Sequence, residues 1–264
     1  MPRSGAARVT QLRTRQILAF WLPLAATWLM MAGEGPFVAA IIARLPEARF
    51  NLAAYGVAVS FAFISESPIM MMLTAANTLV HDRASFLALR RFNYALNAAL
   101  TVGVAIGVMP PIFRFITDTL IGLPDEVARL TNLSTACLIT WPGAIGYRRF
   151  YQGILVRHGL ARRVAYGTVV RLTTMGGVAV LLSHFTNLAG AVVGTAALAA
   201  GVFAEAVASR LMARGVVHDL LARPATPGES PLTTREITAF YYPLALTSML
   251  TLMVAPLVTF FLGR

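Results

Sequence analysis

Apolar stretches long enough to cross a bilayer alternate with short polar segments along the chain. A helix needs about 20 apolar residues to span a hydrocarbon core of about 30 Å. The predicted spans are residues 17–43, 52–80, 93–114, 127–149, 164–184, 189–212 and 237–263. The second span is long and predicts a tilt or an extension beyond the bilayer. The pattern therefore predicts an all-α integral membrane protein.

Several prolines lie inside these predicted spans. They include Pro23, Pro36, Pro68 and Pro142. Each removes a backbone donor and is expected to kink its helix. A bilayer tolerates such a site where neighbouring groups satisfy the freed carbonyl.

The opening of the chain recurs at its end. Residues 14–44 align without a gap with residues 234–264. The recurring positions include Arg15, Pro23, Pro36 and Arg44, which correspond to Arg235, Pro243, Pro256 and Arg264. Such repeats are typical of transporters built from two related halves. We therefore predict a six-helix lobe over residues 1–220, a proline-rich linker over 221–234, and the first helix of an incomplete second lobe over 235–264.

The composition supports a membrane protein and excludes several other classes. The chain is 57% hydrophobic and only 12% charged, with a mean hydropathy of +0.69, whereas soluble domains have about 25% charged residues. The net charge is +11, but the arginines flank apolar spans and form no stripe, which argues against a nucleic-acid partner. We find no enzyme, cofactor or metal motif, and the single Cys137 allows no internal disulfide.

The loops alternate in charge. Basic residues concentrate before the first span, after the second, between the fourth and fifth, and between the sixth and seventh. The opposite loops contain Glu47, Asp118, Asp125 and Glu126. The positive-inside rule then predicts a cytoplasmic N-terminus and a C-terminus outside.

Three charged residues within the spans are candidates for binding substrate or a coupling ion: Glu34, Glu66 and Arg171. Charges at membrane depth cost roughly 2.5–3.5 kcal/mol on insertion scales and normally face a protein interior or a watery cavity. One alternative is a structural ion pair between Glu66 and Arg171. Another is that headgroups hydrate Glu34. We expect Glu205, near the cytoplasmic end of its span, to pair with Arg210.

A basic patch at residues 145–159 supplies candidate anion contacts. Its arginines Arg148, Arg149 and Arg157 have the planar geometry that suits phosphate and carboxylate. The alternative is topology anchoring and contact with lipid headgroups, which are expected partners in any case.

Three further features have structural interpretations. Residues 81–92 predict an amphipathic connector at the membrane surface, capped by Asp82. Residues 116–131 predict a short surface helix. Gly190, Gly194 and Gly201 are expected to allow close helix packing.

Three segments together resemble a known group of proteins. They are FWLPLAATWLMMAGEGPFVAA at residues 20–40, LAAYGVAVSFAFISESPIMMMLTAANTLVHDRASFLALRRF at 52–92, and WPGAIGYRRFYQGILVRHGLARRVAYGTVVRL at 141–172. They are similar to bacterial relatives of the progressive ankylosis protein, and through them to the multidrug and toxic compound extrusion (MATE) transporters. The resemblance implies a location in the bacterial inner membrane, and two six-helix lobes around a cleft. It also implies export of organic anions such as pyrophosphate, nucleotides or citrate. The positions that match are Gly33, Glu34, Glu66, Pro68 and the block 141–171.

These observations predict a transporter-like protein that moves a small organic anion by alternating access. Because only one helix of the second lobe is present, we expect Glu34, Glu66 and Arg171 to lie open to lipid. The chain is then expected to be inactive alone, unless a second lobe or a homo-oligomer completes it. The alternatives are a non-transporting remnant or membrane scaffold, and a flippase for lipid-linked precursors.

Overall fold

The computed structural model describes residues 14–222 and 232–262, and all regular structure in those ranges is helical. The helices are α1 (Thr14–Ala32), α2 (Glu34–Ile42), α3 (Ala48–Glu66), α4 (Met72–Leu79), α5 (Arg83–Gly107), α6 (Pro110–Arg114), a π-helix (Phe115–Ile121), α7 (Asp125–Ala136), α8 (Trp141–Arg157), α9 (Ala161–Phe185), α10 (Gly190–Met212), α11 (Arg214–Ala222) and α12 (Thr234–Leu262). The predicted all-α class is therefore confirmed.

Five segments in the described ranges are long and apolar enough to cross a membrane. They are Ala25–Ile42, Ala48–Glu66, Ala161–Phe185, Gly190–Met212 and Thr234–Val254. A sixth span exists if Arg83–Gly107 and Pro110–Ile121, which meet at a 72° bend, count as one. The fourth predicted span is divided between α7 and α8, with 12 and 17 residues. These segments define a membrane-embedded helical protein.

The long second span is not one helix, contrary to the prediction. It is divided into α3 and α4 by a turn at residues 67–71 that contains Pro68. Because Pro68 has no N–H, it cannot donate to the carbonyl of Ile64 four residues earlier. The Ser67 hydroxyl donates to that carbonyl instead, at 2.8 Å. The turn leaves Glu66 as the last residue of α3.

Other predicted spans are interrupted as well. Gly33 separates α1 from α2, so that Glu34 becomes the first residue of a helix. Residues 137–140 form a turn between α7 and α8, and Pro142 follows as the second residue of α8. Proline is favoured there because the first turn of a helix needs no internal donor.

Helix α8 lies at the centre of the molecule and packs against α4, α5 and α10. Close approach to α4 requires Gly153, because a Cβ there would lie 2.4 Å from the carbonyl oxygen of Leu73. Helix α10 packs along α9 in the same way, since a Cβ at Gly201 would lie 2.9 Å from the carbonyl oxygen of Arg171. Gly190 and Gly194 similarly face Ile42, so the predicted role of the three α10 glycines is confirmed.

The outer faces of several helices are apolar. Trp28, Leu29, Phe185 and Leu250 are all exposed on the described part of the chain. A water-soluble domain would expose few such side chains together, whereas a bilayer solvates them.

Two local predictions are wrong. Residues 81–92 form no separate surface helix, because most of them are the first turns of α5, where Phe86 and Leu89 are fully buried. Asp82 does cap this helix, accepting a hydrogen bond from the Ser85 N–H at 2.8 Å. Residues 116–131 are also not one short helix, since they cover most of the π-helix and the start of α7.

The two copies of the repeat differ in conformation. The first is broken at Gly33, whereas the second, α12, is continuous over 29 residues. Met253 and Val254 occupy the places of Gly33 and Glu34, which removes the helix-breaking glycine. Helix α12 packs against α3 and α5. Residues 223–231 of the predicted linker lie outside the described residues.

Candidate functional site

Six ionisable side chains from five helices converge inside the helical bundle. They are Glu34 on α2, Glu66 on α3, Arg148 and Arg149 on α8, Arg171 on α9 and Glu205 on α10. The helix breaks place two of them, since Glu34 begins α2 and Glu66 ends α3. A carboxylate at a helix N-terminus is stabilised by the helix dipole, whereas one at a C-terminus is not.

Four of these side chains form a continuous chain of ion pairs. Arg171 Nη2 donates to Glu34 Oε2 at 2.5 Å, and its Nη1 lies 3.7 Å from Glu205 Oε2. Arg148 Nη1 also donates to Glu205 Oε2, and Gln152 Nε2 donates to Glu205 Oε1 at 3.0 Å. All five side chains are buried. These buried ion pairs therefore connect α2, α8, α9 and α10.

Glu66 differs from the other two carboxylates. Its Oε2 accepts a hydrogen bond from Trp141 Nε1 at 2.7 Å, and it forms no ion pair with any described residue. The guanidinium carbon of Arg171 lies 5.9 Å from the centre of the Trp141 ring. Glu66 is thus connected to the ion-pair chain only through an indole.

A cavity of about 220 Å³ opens against this cluster. Glu34, Glu66, Arg148 and Arg171 line it, and Tyr55 and several apolar side chains complete the wall. Glu34 Oε1 is buried without a partner in the part of the chain that the structure describes, as is the Nε of Arg171. The cavity therefore combines apolar walls with unsatisfied acceptor and donor atoms, as small-molecule sites commonly do.

The three predicted candidates Glu34, Glu66 and Arg171 thus lie around one cavity. The expectation that they lie open to lipid is wrong, because Glu34, Arg171 and Glu66 are only 6%, 5% and 4% exposed. Charge pairing and the cover supplied by Trp141 and by Leu252 of α12 explain this burial. The proposed ion pair between Glu66 and Arg171 is also absent among the described residues, since Arg171 pairs with Glu34 and Glu205. Headgroup hydration of Glu34 does not fit its burial.

The expected pairing of Glu205 with Arg210 is wrong. Glu205 is buried against Arg148, whereas Arg210 lies 5.1 Å from the centre of the Tyr151 ring. The sequence did hold a signal for this contact. Arg148 and Gln152 are four residues apart and therefore share one face of α8.

The three arginines proposed as anion contacts have different surroundings. Arg148 is paired with Glu205, as described above. Arg157 Nη1 donates to the carbonyl oxygen of Asn77 at 2.6 Å, and its other terminal nitrogen contacts His81 Nδ1, which ties the end of α8 to the end of α4. Arg149 forms no ion pair with a described carboxylate.

No protein-family model, curated protein or solved structure matches the chain. The resemblance to the progressive ankylosis group therefore stays a prediction from the residues, and the interpretation of the site depends on its own geometry.

Proposed function

We propose that the chain is the lobe of a secondary transporter that exports a small organic anion by alternating access. The lobe would be MATE-like, with α12 beginning a second repeat. The main support for the proposal is the series of buried ion pairs beside the 220 Å³ cavity. Burying ions in a membrane is costly, and intramembrane charges commonly mark ion and substrate pathways.

Arg171 is the proposed substrate contact. It already binds two carboxylates, Glu34 at 2.5 Å and Glu205 at 3.7 Å. A substrate carboxylate or phosphate offers the same bidentate acceptor geometry. The substrate would replace Glu34 at Arg171, and Glu34 would return to its place when the substrate leaves.

Glu66 is the proposed site for a coupling cation. It lies in the same cavity and has no arginine partner among the described residues. An ionised carboxylate buried without a countercharge is unfavourable, so it takes up a proton or a metal cation. Binding of that cation would change the charge next to Arg171, and cation binding would thereby be coupled to substrate binding.

The proposed partner is a second lobe or a second copy of the chain. Alternating access in repeat-built transporters involves movement of one bundle against another. The exposed apolar residues of α12, including Leu246, Leu250 and Val254, offer a surface for that contact.

The test is flux in proteoliposomes. The chain is reconstituted alone and with a second lobe from a full-length relative, and uptake of pyrophosphate, citrate and nucleotides is measured. We expect Glu66→Gln and Arg171→Ala to abolish flux while membrane insertion is retained. Arg162→Ala is the matched control, because Arg162 is exposed and does not line the cavity.

Two outcomes would contradict the proposal. If both site variants transport at the parental rate, these residues are not the site. If the unmodified protein shows no flux in either preparation, the scaffold hypothesis replaces transport.

A further inference from the structure

A second and larger cavity lies beside the first. Its volume is about 430 Å³, and it is bounded by α1, α4, α8, α9 and α12. Among the described residues Arg149 is its only charged lining residue, and the rest of the described wall is apolar or carries hydroxyl groups. Met31, Met70 and Leu252 line both cavities, so these three side chains separate the two spaces.

Arg149 has no counterion in the described part of the chain. Arg148 and Arg171 both contact carboxylates, whereas Arg149 Nη2 contacts only the Met70 Sδ, at 3.3 Å. Its Nε is buried without a partner. Arginine stays protonated in proteins, and a thioether is a weak acceptor. Arg149 is therefore a half-buried cation whose donors are available to an added anion.

The two buried carboxylates that could offset the charge of Arg149 already accept hydrogen bonds from other residues. Glu66 accepts from Trp141, and Glu205 accepts from Arg148 and Gln152. Neither forms an ion pair with Arg149. The charge on Arg149 is thus left for a molecule that enters the cavity.

The wall of the cavity indicates what kind of anion fits. Leu73, Val156 and Val164 supply an apolar surface in the same cavity as the guanidinium. The Thr74 hydroxyl has only the Met71 thioether as a described partner, at 4.0 Å, so it can donate to a ligand oxygen. Cavities of 300–1,000 Å³ are typical of small-molecule sites.

We infer that this cavity binds the anionic head of an amphiphile, a phosphate or carboxylate attached to an apolar body. The guanidinium of Arg149 holds the head, and the apolar wall holds the beginning of the body. Two sources share this chemistry: an anionic phospholipid of the bilayer, and a soluble alkyl phosphate or fatty acid. The inference concerns binding and does not depend on transport.

Direct binding to the purified full chain tests the inference. The probes are phosphatidylglycerol, with phosphatidylcholine as the neutral comparison, dodecyl phosphate and inorganic phosphate. Lipid retention is measured by native mass spectrometry, and binding of the two phosphates by equilibrium dialysis in a neutral detergent. We expect one saturable site that prefers phosphatidylglycerol or dodecyl phosphate, and the preferred probe identifies the source.

Three variants test separately how much the anionic head and the apolar body of the ligand contribute to binding. Arg149→Gln is expected to weaken binding about tenfold or more, since bonds to a charged group are lost. Val156→Phe keeps the guanidinium and fills the cavity, so it is expected to weaken binding of dodecyl phosphate. Arg162→Gln, at an exposed arginine, should bind as the parent does.

Three results would overturn the inference. The first is parental affinity in Arg149→Gln. The second is inorganic phosphate binding as tightly as dodecyl phosphate, which would leave no role for the apolar body. The third is the absence of saturable binding of every probe to the parent. A folding defect in Arg149→Gln leaves the inference testable through Val156→Phe, because ligand-induced thermal stabilisation should occur in the parent and not in that variant.

Discussion

At the scale of single residues, the buried charges stabilise the protein only as a set. Arg171 bridges Glu34 and Glu205, and Arg148 shares Glu205. Removing one member of a buried ion pair leaves an uncompensated charge, which costs more than the pair contributes. A substitution at one of these positions therefore changes how much its partner residues contribute to the free energy of unfolding.

We expect Arg171→Gln to lower the free energy of unfolding by about 3–5 kcal/mol, because Glu34 loses its cation. Adding Glu34→Gln should recover part of that loss. Thermal unfolding in detergent micelles measures both effects. Arg129→Gln, which removes the exposed pair with Glu126, serves as the control and should cause no measurable change. Simply additive losses in the double variant would contradict this coupling.

The sequence identified the positions of Glu34, Glu66 and Arg171 because ionisable residues are rare in apolar spans. It did not identify which of them pair. Sequence distance favours pairing Glu205 with Arg210, five residues along its own helix, because a sequence does not show which faces of two helices meet. The contact with Arg148 depends on how α8 and α10 pack, which a pattern along one helix does not show.

At the scale of helices, interrupted spans position the site. The break at Gly33 and the turn at residues 67–71 put Glu34 and Glu66 at helix ends. The sequence marked the second of these through Pro68. At residues 137–140 the signal is displaced, because these four residues include no proline or glycine and Pro142 lies two residues beyond them.

Close packing of α8 on α4 should be sensitive to a single methyl group. Gly153→Ala places a Cβ 2.4 Å from the Leu73 carbonyl oxygen, which the backbone must move to accommodate. We expect a loss of about 1–3 kcal/mol, as for other overpacked sites. Gly177→Ala is the matched control, since nothing lies within 4 Å of a Cβ there. Thermal unfolding of the two variants side by side would show no difference if the helices can separate freely.

Helix α12 is attached to the turn between α3 and α4 by two hydroxyl groups. Tyr241 donates to the carbonyl oxygen of Pro68 at 2.7 Å, and Ser248 donates to that of Ser67 at 2.5 Å. We expect Tyr241→Phe and Ser248→Ala each to cost about 1–3 kcal/mol, because a buried carbonyl loses its donor. Hydrogen exchange at residues 69–72 should also accelerate.

Tyr242→Phe controls for removal of a hydroxyl from the same helix, because Tyr242 is exposed. Equal exchange rates at residues 69–72 in the Tyr241 and Tyr242 variants would show that the turn does not depend on α12.

At the scale of the whole molecule, hydropathy predicted the class of protein more securely than the number of spans. Five of the seven predicted stretches contain a segment long and apolar enough to span, one corresponds to the bent pair, and the fourth is divided between α7 and α8. In the fourth stretch, α8 packs against α4, α5 and α10 inside the bundle. Burial among other helices and burial in lipid both select apolar residues, so hydropathy does not distinguish them.

Orientation in the membrane remains the prediction of the arginine-rich loops. In a Cys137→Ser background, Asp125→Cys should react with a membrane-impermeant maleimide added to intact cells, and Arg162→Cys should react only after the cells are opened. Both positions are exposed in the structure. Labelling of Arg162→Cys from outside would invert the predicted topology.

The attachment of α12 also has an evolutionary consequence. Its two acceptors are main-chain oxygens, which every amino acid supplies. Position 67 can therefore change without a matching change in α12, whereas positions 241 and 248 must keep a hydroxyl. Correlated substitutions reveal contacts between side chains, and none is expected at this contact. In an alignment of relatives, this helix contact would appear only as two hydroxyl-bearing positions on α12 with no covarying partner.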